Sequence, residues 1–221
     1  MDSFTTKLGK TLRVTPIKHG SLEIDFDGRI IQVDPVIDGT PPTTDYTTMA
    51  KADVIIITHD HYDHFDEQAV NDLRKASTII ITNQLTAAAL GEGEVMYNGD
   101  TLKVFDDLQI DAVAAYNTTP GHTQFHPKGR DNGFILTADG MRIYIAGDTE
   151  DINEMNDVRD IDIAFMPCNQ PYTMTPAQLR HAAEMVKPKV LYPYHYGDTD
   201  PNDMIEALEG LDIDVRIRNF Q

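Results

Sequence analysis

The chain has 221 residues, a formal net charge of −18 and a pI near 4.6, and 41% of its residues are hydrophobic. This is enough apolar material for a sizeable core, and we predict a single domain over residues 1–221. The charge argues against binding to nucleic acid or to anionic membranes, since both are polyanions. The only cysteine, Cys168, excludes an intrachain disulfide. We expect a cytoplasmic protein that acts on a small molecule, and a homo-oligomer is compatible with the sequence.

The first part of the chain predicts short strands joined by tight turns, followed by alternating strands and helices. His19-Gly20 and Asp27-Gly28 are typical turn sequences. Residues 38–48, rich in Pro, Thr and Asp, predict a loop, for which a lid is one interpretation. The predicted elements are strands 12–17, 22–26, 30–33, 54–57 and 78–81 and helices 66–75 and 84–90.

The rest of the chain repeats this plan, with a group of strands before a strand and helix alternation. A plan that occurs twice predicts two sheets, each with helices on its outer face. The predicted elements are strands 95–97, 102–105, 110–114, 134–136, 143–146, 161–166, 190–192 and 213–217 and helices 176–186 and 202–208.

The most unusual stretch runs from Thr58 to His64 and holds three histidines and two aspartates directly after an apolar strand. Open α/β layers place their binding sites at such strand ends. Imidazole nitrogens and carboxylate oxygens are ligands for zinc, iron, nickel and manganese. A solvated polar loop is the alternative, but three histidines within six positions are unusual for a loop that serves only solubility. We interpret the stretch as metal-binding.

The residues His59, His61, Asp63 and His64 fill every position of His-x-His-x-Asp-His, and the stretch therefore resembles the signature of the metallo-β-lactamase superfamily. The resemblance covers nearly the whole chain and implies an α/β fold, the four-layer αββα sandwich of two mixed sheets. It also implies two divalent metal ions. His59 and His61 would help to bind one ion, and Asp63 and His64 the other. Zinc is expected first, with manganese, iron or nickel as alternatives.

The same resemblance implies ligands at two further strand ends. Asp148, in Gly147-Asp148-Thr149, is similar to the aspartate that bridges both metals, and a carboxylate has two oxygens with which to do so. His195 matches the last ligand of the family. The third histidine is open between His126 and His122, which lie seven and eleven positions before Gly133. His126 is favoured, because this ligand normally lies a few residues before the next strand.

Four other residues are candidates for supporting roles. His19 and Asp34 occupy places where a related branch of the family has a His-x-Ser and an Asp-Pro, and we predict that they hold metal-binding side chains in position. Both residues are also ordinary at hairpin ends. Lys128 and Tyr194 flank predicted ligands and are candidates for binding a substrate anion, although lysines are mostly solvated. Asn117 departs from that branch, which has a histidine there.

The predicted activity is hydrolysis by a metal-bound hydroxide, since divalent metals lower the pKa of bound water toward ~7. Asp63 would bind metal and orient the water, as the catalytic residue. The overall likeness is closest to L-ascorbate-6-phosphate lactonase-like proteins, which implies a small ester, lactone or phosphorylated substrate. Three alternatives stay open: a catalytically silent metal-binding or sensing protein, a phosphodiesterase or nuclease of the same fold, and a di-iron relative that would carry glutamate in place of His61.

Overall fold

The computed structural model describes residues 1–37 and 43–220, which form two compact units. The first unit contains residues 1–96 and the C-terminal residues from 219, and the second contains residues 97–218. Each unit has one mixed seven-stranded sheet and, within the described residues, two α-helices. The two predicted sheets are confirmed, whereas a single domain over residues 1–221 stays a prediction. Among residues 1–37 and 43–220, no helix combines the length and apolar composition that crossing a membrane would require.

The sheet of the first unit follows the order of the chain from β1 to β7. Strands β1 to β4 are antiparallel neighbours, and β4 to β7 are parallel. The predicted hairpins are confirmed, and β1 was not predicted. The strand predicted at 95–97 was assigned to the second group, which is wrong, because Glu94–Val95 pairs with Ile79–Thr82 in the first sheet. Of the predicted loop 38–48, residues 38–42 lie outside the described residues, and Tyr46–Thr48 form a 3-10 turn. The elements are β1 Asp2–Thr5, β2 Thr11–Lys18, β3 Ser21–Phe26, β4 Arg29–Val33, β5 Val54–Ile56, α1 Glu67–Leu73, β6 Ile79–Thr82, α2 Gln84–Leu90 and β7 Glu94–Val95.

The apolar run 54–57 forms the centre of the first unit. All four of its side chains are completely buried, as expected for a β-branched run in a strand covered on both faces. Ile55 and Ile57 belong to the same core cluster as Val70 and Leu73 of α1. This helix begins where the Asp66 carboxylate accepts a hydrogen bond from the Ala69 backbone N–H. Because β4 and β5 are parallel, the residues that follow both strands start at one edge of the sheet.

The sheet of the second unit has the order β14-β13-β12-β11-β10-β9-β8. Helix α3 has the predicted bounds, and Thr175 and Gln178 form a capping box at its start. Its buried side chains include Leu179 and Ala183. The elements are β8 Thr101–Phe105, β9 Leu108–Ala115, β10 Asp131–Ala138, β11 Met141–Ile145, β12 Ile163–Pro167, α3 Pro176–Val186, β13 Val190–Tyr194, α4 Pro201–Leu208 and β14 Asp214–Val215, with a 3-10 turn at Asn153–Asp157.

Strand directions place several loops at one edge of this second sheet. Strand β10 is antiparallel to both β9 and β11, while β11, β12 and β13 are parallel neighbours. Strands β9, β11, β12 and β13 therefore run in the same direction, and their carboxyl ends lie at the same edge. The loops that leave this edge contain His126, Asp148 and His195, three of the predicted metal ligands.

Candidate metal centre

The histidine motif of the first unit folds into a tight turn that gathers its imidazoles. The His64 and Phe65 backbone N–H groups both donate to the His61 carbonyl, at 3.0 and 2.9 Å. The ring centroid of His59 lies 4.5 Å from that of His61 and 4.2 Å from that of His64. His59 and His64 are completely buried. The structure therefore has the sharp backbone turn that ligands at alternate positions require.

Asp34 fixes the ring of His64 through a contact at its Nδ1 atom. Its Oδ2 lies 2.8 Å from His64 Nδ1, and both side chains are completely buried. The same carboxylate accepts hydrogen bonds from the Thr58 backbone N–H at 2.7 Å and from the Thr58 hydroxyl at 2.8 Å. A carboxylate on one imidazole nitrogen fixes the tautomer and leaves the other nitrogen, Nε2, as the donor for a metal. Asp34 thus has the geometry predicted for a supporting residue.

His19 makes a corresponding contact with Asp63, whose Oδ2 lies 3.2 Å from His19 Nε2. Single ligand atoms of His19, Asp63 and His64 lie within 4.8 Å of one another. Both His19 and Asp34 have positive φ, at 52° and 44°, a backbone region that L-residues rarely occupy and that is enriched at functional sites. The first unit therefore brings together all six of its predicted site residues: His19, Asp34, His59, His61, Asp63 and His64.

A glycine beside His64 makes room for this arrangement. A Cβ atom on Gly20 would lie 2.8 Å from His64 Cε1, which is closer than real Cβ atoms approach. The imidazole cannot retreat without breaking its contact with Asp34. Gly20 is therefore required by packing against a predicted ligand, in addition to its place in the turn between β2 and β3.

In the second unit, three predicted ligands converge on one carboxylate oxygen. Asp148 Oδ2 lies 3.2 Å from His126 Nε2 and 3.3 Å from His195 Nε2, and no more than 3% of any of these side chains is exposed. The Gly147 backbone N–H, next to Asp148, donates to the Tyr194 hydroxyl at 3.0 Å. His195 has a φ of 45°, which turns the chain sharply at the end of β13.

Asp131, which the sequence interpretation missed, holds His126 as Asp34 holds His64. Its Oδ2 lies 3.1 Å from His126 Nδ1, and Arg130 donates two hydrogen bonds to the same carboxylate at 2.8 and 2.7 Å. Burial lowers the pKa of His126, but Asp131 and Asp148 outweigh it and raise that pKa to about 9. The surroundings of His126 therefore favour positive charge. The sequence signal that could have identified Asp131 is its place five residues after a predicted ligand and at the start of a strand.

These two groups of side chains fit divalent metal ions. Each presents buried imidazoles together with a carboxylate, and in each group one imidazole has its Nδ1 on a second buried carboxylate, Asp34 for His64 and Asp131 for His126. Nitrogen and oxygen donors of this kind suit zinc, iron, nickel and manganese. The fit to a metal ion rests on the kinds of donor atoms in each unit and on the burial of the side chains that carry them.

The two candidates for the third histidine have different surroundings. His126 is buried against Asp148 and Asp131. His122 is 24% exposed, and its Nδ1 lies 3.4 Å from Oε1 of Glu150. Within the second unit, His126 has the surroundings expected of a metal ligand, whereas His122 lies beside the predicted ligands. The choice of His126 as the third histidine stays a prediction.

The residues predicted to bind a substrate anion have other contacts in this structure. The Lys128 ammonium group donates to Glu154 Oε1 at 2.7 Å and to the Tyr116 hydroxyl at 3.1 Å. The Tyr194 side chain is completely buried, and its hydroxyl accepts the hydrogen bond from Gly147. Tyr194 thus supports the backbone beside Asp148. Substrate binding by Lys128 and Tyr194 stays a prediction.

Comparison with known proteins agrees with this architecture. Residues 13–195 match the Beta-lactamase superfamily domain, and the two mixed sheets and four α-helices of the described residues are consistent with the metallo-β-lactamase α/β sandwich fold. Within that superfamily, the chain belongs to the UPF0173 metal-dependent hydrolase family. It is 31% identical over 196 residues to the member from Ligilactobacillus salivarius, and the aligned region covers 86% of this chain and 87% of that relative.

Two solved structures are similar over almost their full lengths. A protein from Parabacteroides distasonis described as a metal-dependent hydrolase is 56% identical, with a TM-score of 0.95 and coverage of 100% of this chain and 98% of the other. Igni18, described as a metallo hydrolase from the archaeon Ignicoccus hospitalis, is 26% identical, with a TM-score of 0.78 and coverage of 94% and 95%.

Proposed function

We propose that this protein is a binuclear metal-dependent hydrolase that acts on a small ester, lactone or phosphorylated compound. The observation that carries the proposal is the pair of buried ligand groups, one around His64 and one around Asp148, each at the edge where parallel strands of its own sheet end. Membership of the UPF0173 family supports the hydrolase class. The small-molecule substrate is consistent with the net charge of −18, which disfavours polyanions.

We propose a division of the ligands that follows the family motif. By that motif, His59 and His61 would help to bind the first ion and Asp63 and His64 the second, while His126, Asp148 and His195 would supply the remaining ligands, with Asp148 as the shared one. Zinc is the expected metal, because histidine-rich sites with carboxylates are typical of it. When bound, such ions polarise the oxygen of the scissile group and lower the pKa of water toward ~7. No serine or cysteine nucleophile is required, and Cys168 is buried with its thiol pKa raised to about 12 by burial.

The remaining chemistry comes from the side chains themselves. Asp63 would orient the attacking water and accept its proton, while His19, 3.2 Å from the Asp63 carboxylate, fixes the direction of that group. Asp34 and Asp131 keep the rings of His64 and His126 in the tautomer that a ligand needs. A site that is ordered before substrate arrives has little reorganisation left for the reaction itself.

The likeness to lactonase-like proteins makes lactones the first substrates to test. We expect the purified protein to open a lactone ring, to lose this activity after treatment with a chelator and to regain it when Zn²⁺ or Mn²⁺ is added. The assay should compare lactones, phosphodiesters and thioesters by initial rate, with chelated protein as the control. Turnover of none of the three by metal-loaded protein would contradict the proposal and favour a metal-binding or sensing role.

A further inference from the structure

A buried carboxylate holds a second histidine in the loop that ends at His126. Glu150 is completely buried, and its Oε2 accepts hydrogen bonds from the Thr118 and Thr119 backbone N–H groups, both at 2.7 Å, and from the Thr118 hydroxyl at 2.8 Å. Its other oxygen, Oε1, lies 3.4 Å from His122 Nδ1. These three hydrogen bonds fix the Glu150 carboxylate in a position where its Oε1 faces His122.

His122 itself is held at a defined position. Its backbone N–H donates to the Thr119 carbonyl at 2.9 Å, and its carbonyl accepts from Phe125 at 3.0 Å. The Asn117 backbone N–H donates to the His126 carbonyl at 2.9 Å and closes the loop at its base. The Nδ1 atom of His122 is buried, although 24% of the side chain is exposed. The exposed part of the ring is therefore the part away from Nδ1.

The pair also lies at the sheet edge that carries the candidate ligands. The loop with His122 follows β9, and Glu150 comes two residues after Asp148 in the loop that follows β11. Both strands end at the same edge, and the Glu150 backbone N–H donates to the Tyr116 carbonyl at 3.0 Å, which joins the two loops. A carboxylate beside one imidazole nitrogen orients the ring and leaves the other nitrogen for proton transfer, as in the histidine and aspartate of a catalytic triad.

We propose that His122 is the general acid of the hydrolysis reaction and that Glu150 is its positioning residue, an inference that rests on the proposed function. When the carbon–oxygen bond of an ester or lactone breaks, the departing oxygen takes the proton from His122 Nε2. Water supplies the hydroxyl group of the new carboxylic acid. Asp63 accepts the proton of that water, and its later release to solvent allows His122 to regain the proton that it gave to the departing oxygen. The separation of 3.4 Å between His122 and Glu150 is long for a hydrogen bond, and catalytic contacts of this kind commonly shorten when substrate binds.

The experiment compares two lactones that differ in leaving group. Opening δ-valerolactone releases an alkoxide, which needs a proton, whereas opening dihydrocoumarin releases a phenolate, which does not. We expect His122→Asn to lower kcat/KM for δ-valerolactone by about 10²-fold or more and to leave that for dihydrocoumarin near the wild-type value. Glu150→Gln should show the same selectivity, more weakly. A purely structural role for the pair would slow both substrates equally.

His181→Asn is the matched control, since His181 on α3 also has a carboxylate partner, Asp151 at 2.7 Å, and is 56% exposed. It should leave both rates unchanged. Metal content and thermal unfolding of each variant complete the test. Loss of metal from His122→Asn would make His122 a ligand and overturn the inference, as would equal slowing of both lactones. Wild-type protein that opens neither lactone would overturn both this inference and the lactonase function, whereas an active wild type with unselective variants overturns the inference alone.

Discussion

Replacing Asp148 with asparagine is expected to lower kcat on the order of 10³-fold, the largest effect of any single substitution in this protein. The Asp148 carboxylate is the atom group on which His126 and His195 converge, at 3.2 and 3.3 Å. An amide is neutral and would not offset the charge of two cations, and the variant also loses one of the two carboxylates that raise the pKa of His126. Initial rates at saturating metal and the metal content of the variant are the measurements.

Asp151→Asn is the control for this result, because it makes the same chemical change three residues away. Asp151 contacts His181 on α3 rather than a predicted ligand. We expect it to retain wild-type activity and metal content. If Asp148→Asn stays as active as Asp151→Asn, the carboxylate at position 148 has no part in the reaction, and the proposed shared ligand is wrong.

The largest effect on stability is expected at Asp34. Changing it to alanine should lower the free energy of unfolding by about 3 kcal/mol or more, since it leaves several completely buried polar groups without their acceptor. The Thr58 N–H and hydroxyl and His64 Nδ1 would all lose their shared acceptor. The milder Asp34→Asn should weaken metal binding about 10- to 100-fold, as is usual for residues behind a ligand. Urea unfolding and metal titration measure the two effects.

Asp27→Ala separates the network from backbone strain. Asp27 also has positive φ, 54° against 44° for Asp34, but lies in an exposed hairpin turn. Both alanine variants therefore pay a similar conformational cost. The difference between their free energies of unfolding isolates the contribution of the buried contacts. Equal losses in the two variants would show that the contacts of Asp34 contribute nothing to stability.

Short-range information explains what the sequence revealed. The histidine motif lies within seven residues, so one turn brings its ligands together. Its metal-binding chemistry can therefore be recognised from the sequence without knowledge of the fold. Strand and helix periodicity was equally local, and helices α2 and α3 have the predicted bounds. β1 was missed because Asp2–Thr5 lacks a run of apolar residues.

Long-range contacts explain what the sequence concealed. The contact of Glu150 with His122 depends on how two loops leave one sheet edge, and no local pattern encodes it. The same holds for Lys128, whose ammonium group contacts a glutamate 26 residues later in the chain. The positive φ of His19, Asp34 and His195 was also hidden, since nothing about these residue types requires it. Strained backbone of this kind is maintained by the surrounding contacts.

The number of metal ions that each chain binds tests the central claim most directly. Purified protein should be stripped with a chelator, loaded with Zn²⁺, passed through a desalting column and analysed by inductively coupled plasma mass spectrometry against protein concentration. Binuclear binding by histidines and aspartates of both units predicts close to two ions per chain, falling in the Asp148→Asn variant. A value of one or fewer ions per chain for loaded wild-type protein would contradict binuclear binding.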